Sequence, residues 1–316
     1  MAEKKRLLSG VKPTGRPHIG NYFGAMKQFV DLLNTGEYEC LVFVADYHGL
    51  NFIQNAAEMR SNILELVKDY IAIGLDPARV TLYKQSDITE HGELCWIFDT
   101  ITTMPYLMRA HAFKDAEAKN KEITVGAFNY PMLMAADILM YDADVVPVGQ
   151  DQKQHVEYTR DTAEKFNRIF GDTFKLPVEI IKEGVAIVPG VDGRKMSKSY
   201  GNDIGLFATK EEIVKAVMGI VTDSSGERPE NVYAIHKLFK SEAELAPVYS
   251  ANLGQYKTLK EALAADIEAY IAPMREKRAS ITDDEVKKVL ADGAVKAKAI
   301  ASAKMSDVRQ KIGVSL

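Results

Sequence analysis

Cysteine is scarce: Cys40 and Cys95 are the only two in 316 residues, far apart and each in an apolar stretch. This excludes a disulfide framework and a cysteine-rich metal site, and it leaves two buried thiols of a reducing compartment as the expectation. Long apolar runs are missing too. The basic opening, MAEKKRLL, offers two leucines before Ser9 and Gly10, too little for the apolar part of a secretory signal. A cytoplasmic protein with no signal peptide and no membrane partner is therefore expected. Repeats and low-complexity tracts are absent. The formal net charge of −4 excludes a generic cationic coat for nucleic acid, while a local basic face stays open because binding follows charge distribution. With 47% hydrophobic and 27% charged residues, the chain reads as ordinary globular protein, one large domain or one large and one small.

What is present begins with Gly10 to Ala25, GVKPTGRPHIGNYFGA. Leu7 and Leu8 read as the end of a first strand, and Met26, Phe29, Val30 and Leu33 recur at helical spacing. Between them lie four glycines and two prolines. A turn of this kind suits phosphate, since free N–H groups and the positive end of a helix dipole converge there. His18 and Asn21 place a neutral donor on each side of Gly20. The segment fits neither GxGxxG nor the P-loop, because Asn21 and Tyr22 stand where Lys and Ser or Thr are required.

Further along, residues 40–45 (CLVFVA), Val80 to Tyr83, Val145 to Val148 and Val185 to Val188 read as buried strands. Helical patterns run from Asn55 to Gly74, from Glu90 to Thr103 and from about 153 to 170. Strands alternating with helices predict an α/β domain with a doubly wound parallel sheet. Its ligands belong at the carboxyl ends of the strands, so the first turn, Asp46 to His48 and Gly149 should share one crevice. Residues 114–122 are charged and aperiodic; they read as a solvated loop or as a lysine source (Lys114, Lys119, Lys121) for phosphate.

Tyr130, Met134, Asp137 and Tyr141 share one face of a predicted helix. A carboxylate there needs either an internal donor or one from a mostly apolar ligand, because an unpartnered buried charge is costly. Asp142 and Asp144 read as ordinary helix-exit residues. Gly149 and Asp151, at a strand end, suit a ribose, with helix capping as the competing role of Asp151. Lys195 to Ser199, KMSKS, places two lysines three apart on a glycine-flanked loop, a mobile cationic clamp. From 206 onward helices take over: Glu211 to Met218, Val232 to Phe239, Leu259 to Ala272 and Asp283 to Met305. Their cationic residues, among them Arg275, Arg278, Lys298, Lys304 and Arg309, read as solvated surface.

The runs His18-Ile19-Gly20-Asn21 and Lys195-Met196-Ser197-Lys198-Ser199 resemble the two signature motifs of class I aminoacyl-tRNA synthetases. With the Tyr130–Asp137 and Pro147–His155 runs, the chain is similar to the tryptophanyl-tRNA synthetases, whose nearest relatives are the tyrosyl enzymes. The resemblance implies a Rossmann-type catalytic domain over 1–205 and a helical anticodon-reading domain over 206–316, whose last helix packs back on the first. It implies activation of L-tryptophan with ATP and transfer to tRNA(Trp) by a homodimer. Mg²⁺ would be carried by the ATP phosphates, with no metal ligand from the protein. On the same ground His18, Asn21, Lys195 and Lys198 act in catalysis. ATP contacts fall to Lys12, Pro13, Thr14, His18, Gly20, Asn21, Gly149, Gln150, Asp151, Ile187, Val188, Lys195, Met196, Ser197, Lys198 and Ser199. Tryptophan falls to Asp137, which accepts from the indole N–H, with Met134, Tyr130, Gln152, His48 and Gly10.

The chain departs from the pattern at Lys12, where many relatives carry glutamine, at Ala116, where a phosphate-side lysine is usual, and at Tyr200-Gly201-Asn202 after KMSKS. Rival readings are a tyrosyl enzyme, a catalytically silent tRNA-binding paralogue and a small-molecule adenylyltransferase.

Overall fold

The computed structural model describes residues 4–110, 113–114, 117, 122–149, 152–180, 188–222 and 228–315. Its strands are β1 (Lys5–Val11), β2 (Tyr38–Val44), β3 (Val80–Lys84), β4 (Val145–Pro147) and β5 (Val178–Ile180). The helices up to β5 are α1 (Ile19–Asn21), α2 (Lys27–Asn34), α3 (Asp46–Gly49), α4 (Ala56–Ala72), α5 (Glu90–Ile101), α6 (Met104–Leu107), α7 (Val125–Phe128), α8 (Tyr130–Leu139) and α9 (Lys153–Phe170). After β5 come α10 (Lys210–Met218), α11 (Glu230–His236), α12 (Glu242–Ala251), α13 (Tyr256–Ser280) and α14 (Asp283–Lys311).

All five strands are parallel, in the order β3-β2-β1-β4-β5. The chain steps outward from β1 through β2 to β3, then returns to the other side of β1 for β4. The strand order therefore reverses between β1 and β4, and the carboxyl ends of these two strands frame the crevice where doubly wound sheets bind ligands. Alternation along each strand feeds two cores. Leu7, Cys40, Val42 and Val44 enter one apolar cluster with α2, α4 and the helices after residue 206. Leu8, Leu41 and Phe43 enter the other, with α5, α8, α9 and α14. No helix among the described residues is long and apolar enough to cross a membrane.

Several details differ from the sequence reading. β1 does not end at Leu8 but runs through Gly10 to Val11, because its backbone pairs with β2 residue by residue up to Val44. The helix begins at Ile19 rather than near Met26, and passes through a π-helical turn at Tyr22–Met26 before α2. That turn presents Tyr22 and Phe23 to Tyr270 of α13 and to Phe239 in the turn after α11, with the Tyr22 and Tyr270 hydroxyls 3.1 Å apart. β5 escaped notice because it is a three-residue, half-exposed edge. The strand expected at 185–188 lies, apart from Val188, outside the described residues. Asp144 is more than a helix exit: its carboxylate accepts from the Arg6 N–H at 2.7 Å and pairs with Lys175, tying β4 to β1. Asp142, at φ 49°, pairs with Lys304 at 2.7 Å. Both thiols are reduced, and burial pushes Cys40 up to about 11 and Cys95 up to about 12.

The cationic residues of the C-terminal helices are not simply solvated. Arg278 of α13 bonds Asp69 and Glu65 of α4, each at 2.5 Å. Arg275 reaches the Ala208 carbonyl at 2.6 Å, and Lys304 the Thr173 carbonyl at 2.9 Å. α13 packs on α4, α10 and α11, and α14 returns to β3, α4 and α5.

Candidate active site

Beyond the carboxyl end of β1, His18 caps the first helix. Its Nδ1 accepts from the Asn21 N–H at 3.2 Å, and Asn21 Oδ1 accepts from the His18 N–H at 3.1 Å. The two side chains lock each other as a capping box, and so stand on either side of Gly20. Burial lowers the His18 pKa, with Lys198 lowering it and Asp203 raising it. A neutral ring is what the cap requires.

The KMSKS loop is stitched to this turn. Ile19 donates to the Ile204 carbonyl at 2.9 Å and Leu206 to the Pro17 carbonyl at 3.0 Å. Met196 is the loop's buried anchor, donating to the Val188 carbonyl at 2.9 Å. Asn202, 2% exposed, clasps the loop. It accepts from the Ser197 N–H at 2.8 Å and donates to Asp192 at 2.7 Å and to the Lys195 carbonyl at 3.2 Å. The departure after KMSKS thus carries a structural role. Ser197 and Ser199 face each other at 2.9 Å. Lys195 and Lys198 are exposed, and neither forms an ion pair with a described residue. A Cβ on Gly15 would lie 3.3 Å from Lys198 Nζ, so the second lysine rests on the first turn. Partial burial lowers its pKa, against the pull of Asp203 and Asp69.

Asp137 lies on the other side, 1% exposed. Gln85 Nε2 donates to its Oδ1 at 2.7 Å, and His91 Nδ1 meets the same oxygen at 2.6 Å. His48 Nε2 meets Oδ2 at 2.8 Å. His91 Nε2 is 2.9 Å from the Tyr141 hydroxyl. The network assigns the tautomers: each imidazole donates to the carboxylate, and His91 accepts from Tyr141. Burial alone would raise the Asp137 pKa, but the His48 and His91 donors hold it at about 2. The internal partners considered in the sequence reading are therefore present. A carboxylate has about four acceptor positions; described residues take three, two on Oδ1 and one on Oδ2, and among the described residues nothing takes the second on Oδ2. His48 Nδ1 is buried with no hydrogen-bond partner among the described residues.

Around this centre the Tyr130 ring packs on His48 (4.3 Å) and His155 (5.2 Å). Lys12 Nζ lies 4.9 Å from the Phe52 ring and 5.7 Å from that of Tyr130. The departing first-turn residue therefore stands beside Tyr130, on the Asp137 side of the crevice. Pro13 backs Gly49, and the Thr14 N–H closes a turn on the Lys12 carbonyl at 2.9 Å. Gly10 is dictated by space, since a Cβ there would lie 2.4 Å from the Phe43 ring, which packs on His91 and Tyr83. Met134 packs on the same core. Gly149 follows β4, and its carbonyl accepts from the Gln152 N–H at 2.9 Å as α9 starts. Gln150, Asp151, Ile187, Lys119, Lys121 and Ala116 lie outside the described residues. Gln85 and His91 were missed in the sequence. Gln85 had a signal, a polar residue just past an apolar strand at the ligand end of the sheet; His91 had none.

A nucleotide-type crevice at the switch point, a capped His-Ile-Gly-Asn turn and a lysine loop stitched to it define a class I aminoacyl-tRNA synthetase core. The family model for "tRNA synthetases class I (W and Y)" matches residues 1–303, and the chain belongs to that family. It is 46% identical to the tryptophan--tRNA ligase of Fusobacterium nucleatum subsp. nucleatum, over 98% of both chains. To that of Rhodopirellula baltica it is 44% identical, over 98% of this chain and 99% of the other. A crystal structure of tryptophanyl-tRNA synthetase from Campylobacter jejuni, complexed with ADP and tryptophan, superposes with a TM-score of 0.91 at 39% identity, covering 98% of this chain and 99% of that one.

Proposed function

We propose that this protein is a tryptophan--tRNA ligase: it activates L-tryptophan with ATP and then charges tRNA(Trp). The observation that carries the tryptophan side is Asp137, a buried carboxylate held by three protein donors with one acceptor position on Oδ2 that no described residue takes. An indole N–H fits that position. A buried acceptor left unpaired by the wrong ligand can reject it by about 10⁴ or more. Met134 packs on the indole ring, Tyr130 and Gln152 hold the α-amine, and His48 and Gly10 complete the wall.

ATP binds across the first turn and the KMSKS loop. His18, Gly20 and Asn21 border it with Lys12, Pro13 and Thr14; Gly149, Gln150 and Asp151 take the ribose; Ile187 and Val188 back the adenine; Met196, Ser197 and Ser199 shape the loop. The tryptophan carboxylate attacks the α-phosphorus in line. A C–O–P bond forms, the bond to the bridging β-oxygen breaks, and pyrophosphate leaves with the Mg²⁺ that came with ATP. Lys195 and Lys198 stabilise the developing charge without proton transfer. A terminal ribose hydroxyl of tRNA then takes the aminoacyl group and AMP leaves. Residues 206–316 serve as the anticodon-reading part. A cytoplasmic homodimer is part of the same reading: Trp96, Met104 and Val125 are more than two-thirds exposed, and a second copy would cover them.

The test is amino-acid-dependent ATP–pyrophosphate exchange with each of the twenty amino acids and no tRNA. Exchange with tryptophan alone is expected. Exchange with tyrosine would reassign the pocket, and silence with all would make the chain a non-catalytic paralogue.

A further inference from the structure

The groups that hold Asp137 are themselves braced from behind by the last helix. Gln85 follows β3 directly, and His91 is the second residue of α5. α14 crosses both elements on a stripe that is small where it must be: Val286, Leu290, Gly293, Ala297, Ala301, Met305 and Val308 are its buried positions. At Gly293 the fit leaves no room at all, since a Cβ would lie 1.8 Å from the Leu82 carbonyl oxygen of β3. On α5, Glu90 immediately precedes His91 and is 5% exposed. Its carboxylate accepts from Lys298 Nζ at 2.6 Å and from the Ser302 hydroxyl at 3.0 Å, both on α14. One turn on, Arg309 closes on Glu93 at 2.7 and 2.5 Å. Burial would raise the Glu90 pKa, yet Lys298 and Ser302 bring it below its ordinary value, so the anchor is an ionised one.

We propose that Glu90, pinned by Lys298 and Ser302 of the last helix, is a positioning residue for amino-acid selection. It fixes the first turn of α5, and with it the His91 ring that orients Asp137, so that the remaining acceptor position on Oδ2 faces the ligand. The proposal rests on the reading of Asp137 as the indole acceptor. Hydrogen-bond orientation is steep in geometry, and a shift of about 1 Å in a supporting group can cost roughly 100-fold. Lys298 is half-exposed and can turn to water when its partner is lost, so what Glu90→Gln removes is position rather than a desolvated cation.

The test is ATP–pyrophosphate exchange in the full chain, reading the tryptophan KM, the ATP KM and the tryptophan-over-tyrosine preference together. Glu90→Gln is expected to raise the tryptophan KM about tenfold, within the range such misplacement gives, and to erode the preference over tyrosine while the ATP KM holds. Lys298→Met should shift the same quantities in the same direction, and Lys298→Arg should restore them. Should Glu90→Gln fail to fold, Lys298→Met and Ser302→Ala carry the test, since both lie on the helix surface. Variants that keep the parental tryptophan KM and only melt lower would reduce Glu90 to a structural tie and overturn the proposal. Equal rises in both KM values would overturn it as well. A parent enzyme without tryptophan-dependent exchange would overturn the functional reading, and the proposal with it; a parent that exchanges beside flat variants overturns the proposal alone.

Discussion

Asp137 sits among three donors already in place, whereas Lys195 and Lys198 stand on a loop where no described carboxylate closes on either. The Asp137 side, which we propose receives the amino acid, is buried, carries the Lys12 ammonium at its edge and has its donors fixed on one carboxylate. The KMSKS side, which we propose receives the phosphates, presents two exposed lysines on a loop held by backbone bonds and by the Asn202 side chain. This is the division that discrimination and catalysis each require. Choosing between similar side chains needs groups that do not move, because an adaptable acceptor would follow the wrong ligand. Stabilising charge that appears only in the transition state needs cations whose best partner is absent until then.

The comparison breaks most directly at Lys198. Lys198→Ala is expected to lower the exchange kcat by about 10²–10³, with the tryptophan KM and the melting temperature unchanged. A large fall in the melting temperature would show that the lysine is structural and that the two sides are not separable. Asp137→Asn should behave in the opposite way. It leaves His48, Gln85 and His91 facing an amide that cannot accept from all three. The expected loss is about 1–3 kcal/mol of stability, as for buried donors left unsatisfied, with tryptophan weakened far more than ATP. Equal weakening of both substrates, read from the two KM values, would remove Asp137 from the amino-acid pocket.

The phosphate side was the more legible half in the sequence, because its parts are contiguous. His18 to Asn21 and Lys195 to Ser199 are short runs whose residue types carry their chemistry wherever the fold places them. Asp137 was visible for a different reason, a charge on an apolar helical face. Its partners were not. Gln85 and His91 lie 52 and 46 residues away in sequence, on a strand end and in a helix that read as ordinary structure. Periodicity also cannot tell water from a second layer of protein, which is why Arg278, Lys298 and Arg309 read as solvated and turned out to be ties between helices. The first helix was placed late because Gly20 and Gly24 and a π-turn interrupt its period.

Asn202 sharpens the comparison from the loop itself. Asn202→Ala removes the clasp on Ser197, Asp192 and the Lys195 carbonyl. The loss of about 1–3 kcal/mol expected for unsatisfied buried partners should loosen the KMSKS loop alone. The ATP KM should rise with the tryptophan KM constant. A rise in the tryptophan KM instead would mean that the loop and the amino-acid side are mechanically one.

The smallest expected effect, and the one with the clearest sign, is the pH dependence contributed by His18. Burial holds its folded pKa below the ordinary 6.5, and its Nδ1 must stay unprotonated to accept from the Asn21 N–H. Below pH 6.5 the unfolded chain takes up this proton before the folded one does. The associated stability is complete above 6.5, declines as pH falls through that value and levels off below the folded pKa, with a slope of at most about 1.4 kcal/mol per pH unit for one proton. His236, lowered by burial against the pull of Asp266, adds the same sign. The carboxylates Glu90, Glu65 and Asp144, all held below their ordinary values, act in a separate window below about 4.5. Denaturant unfolding between pH 7.5 and 5.5, run beside His18→Asn, isolates the His18 share. Asparagine keeps a neutral acceptor at the helix cap and cannot protonate, so the variant should lose less stability on acidification. Parallel curves would mean that the proton enters without breaking the cap.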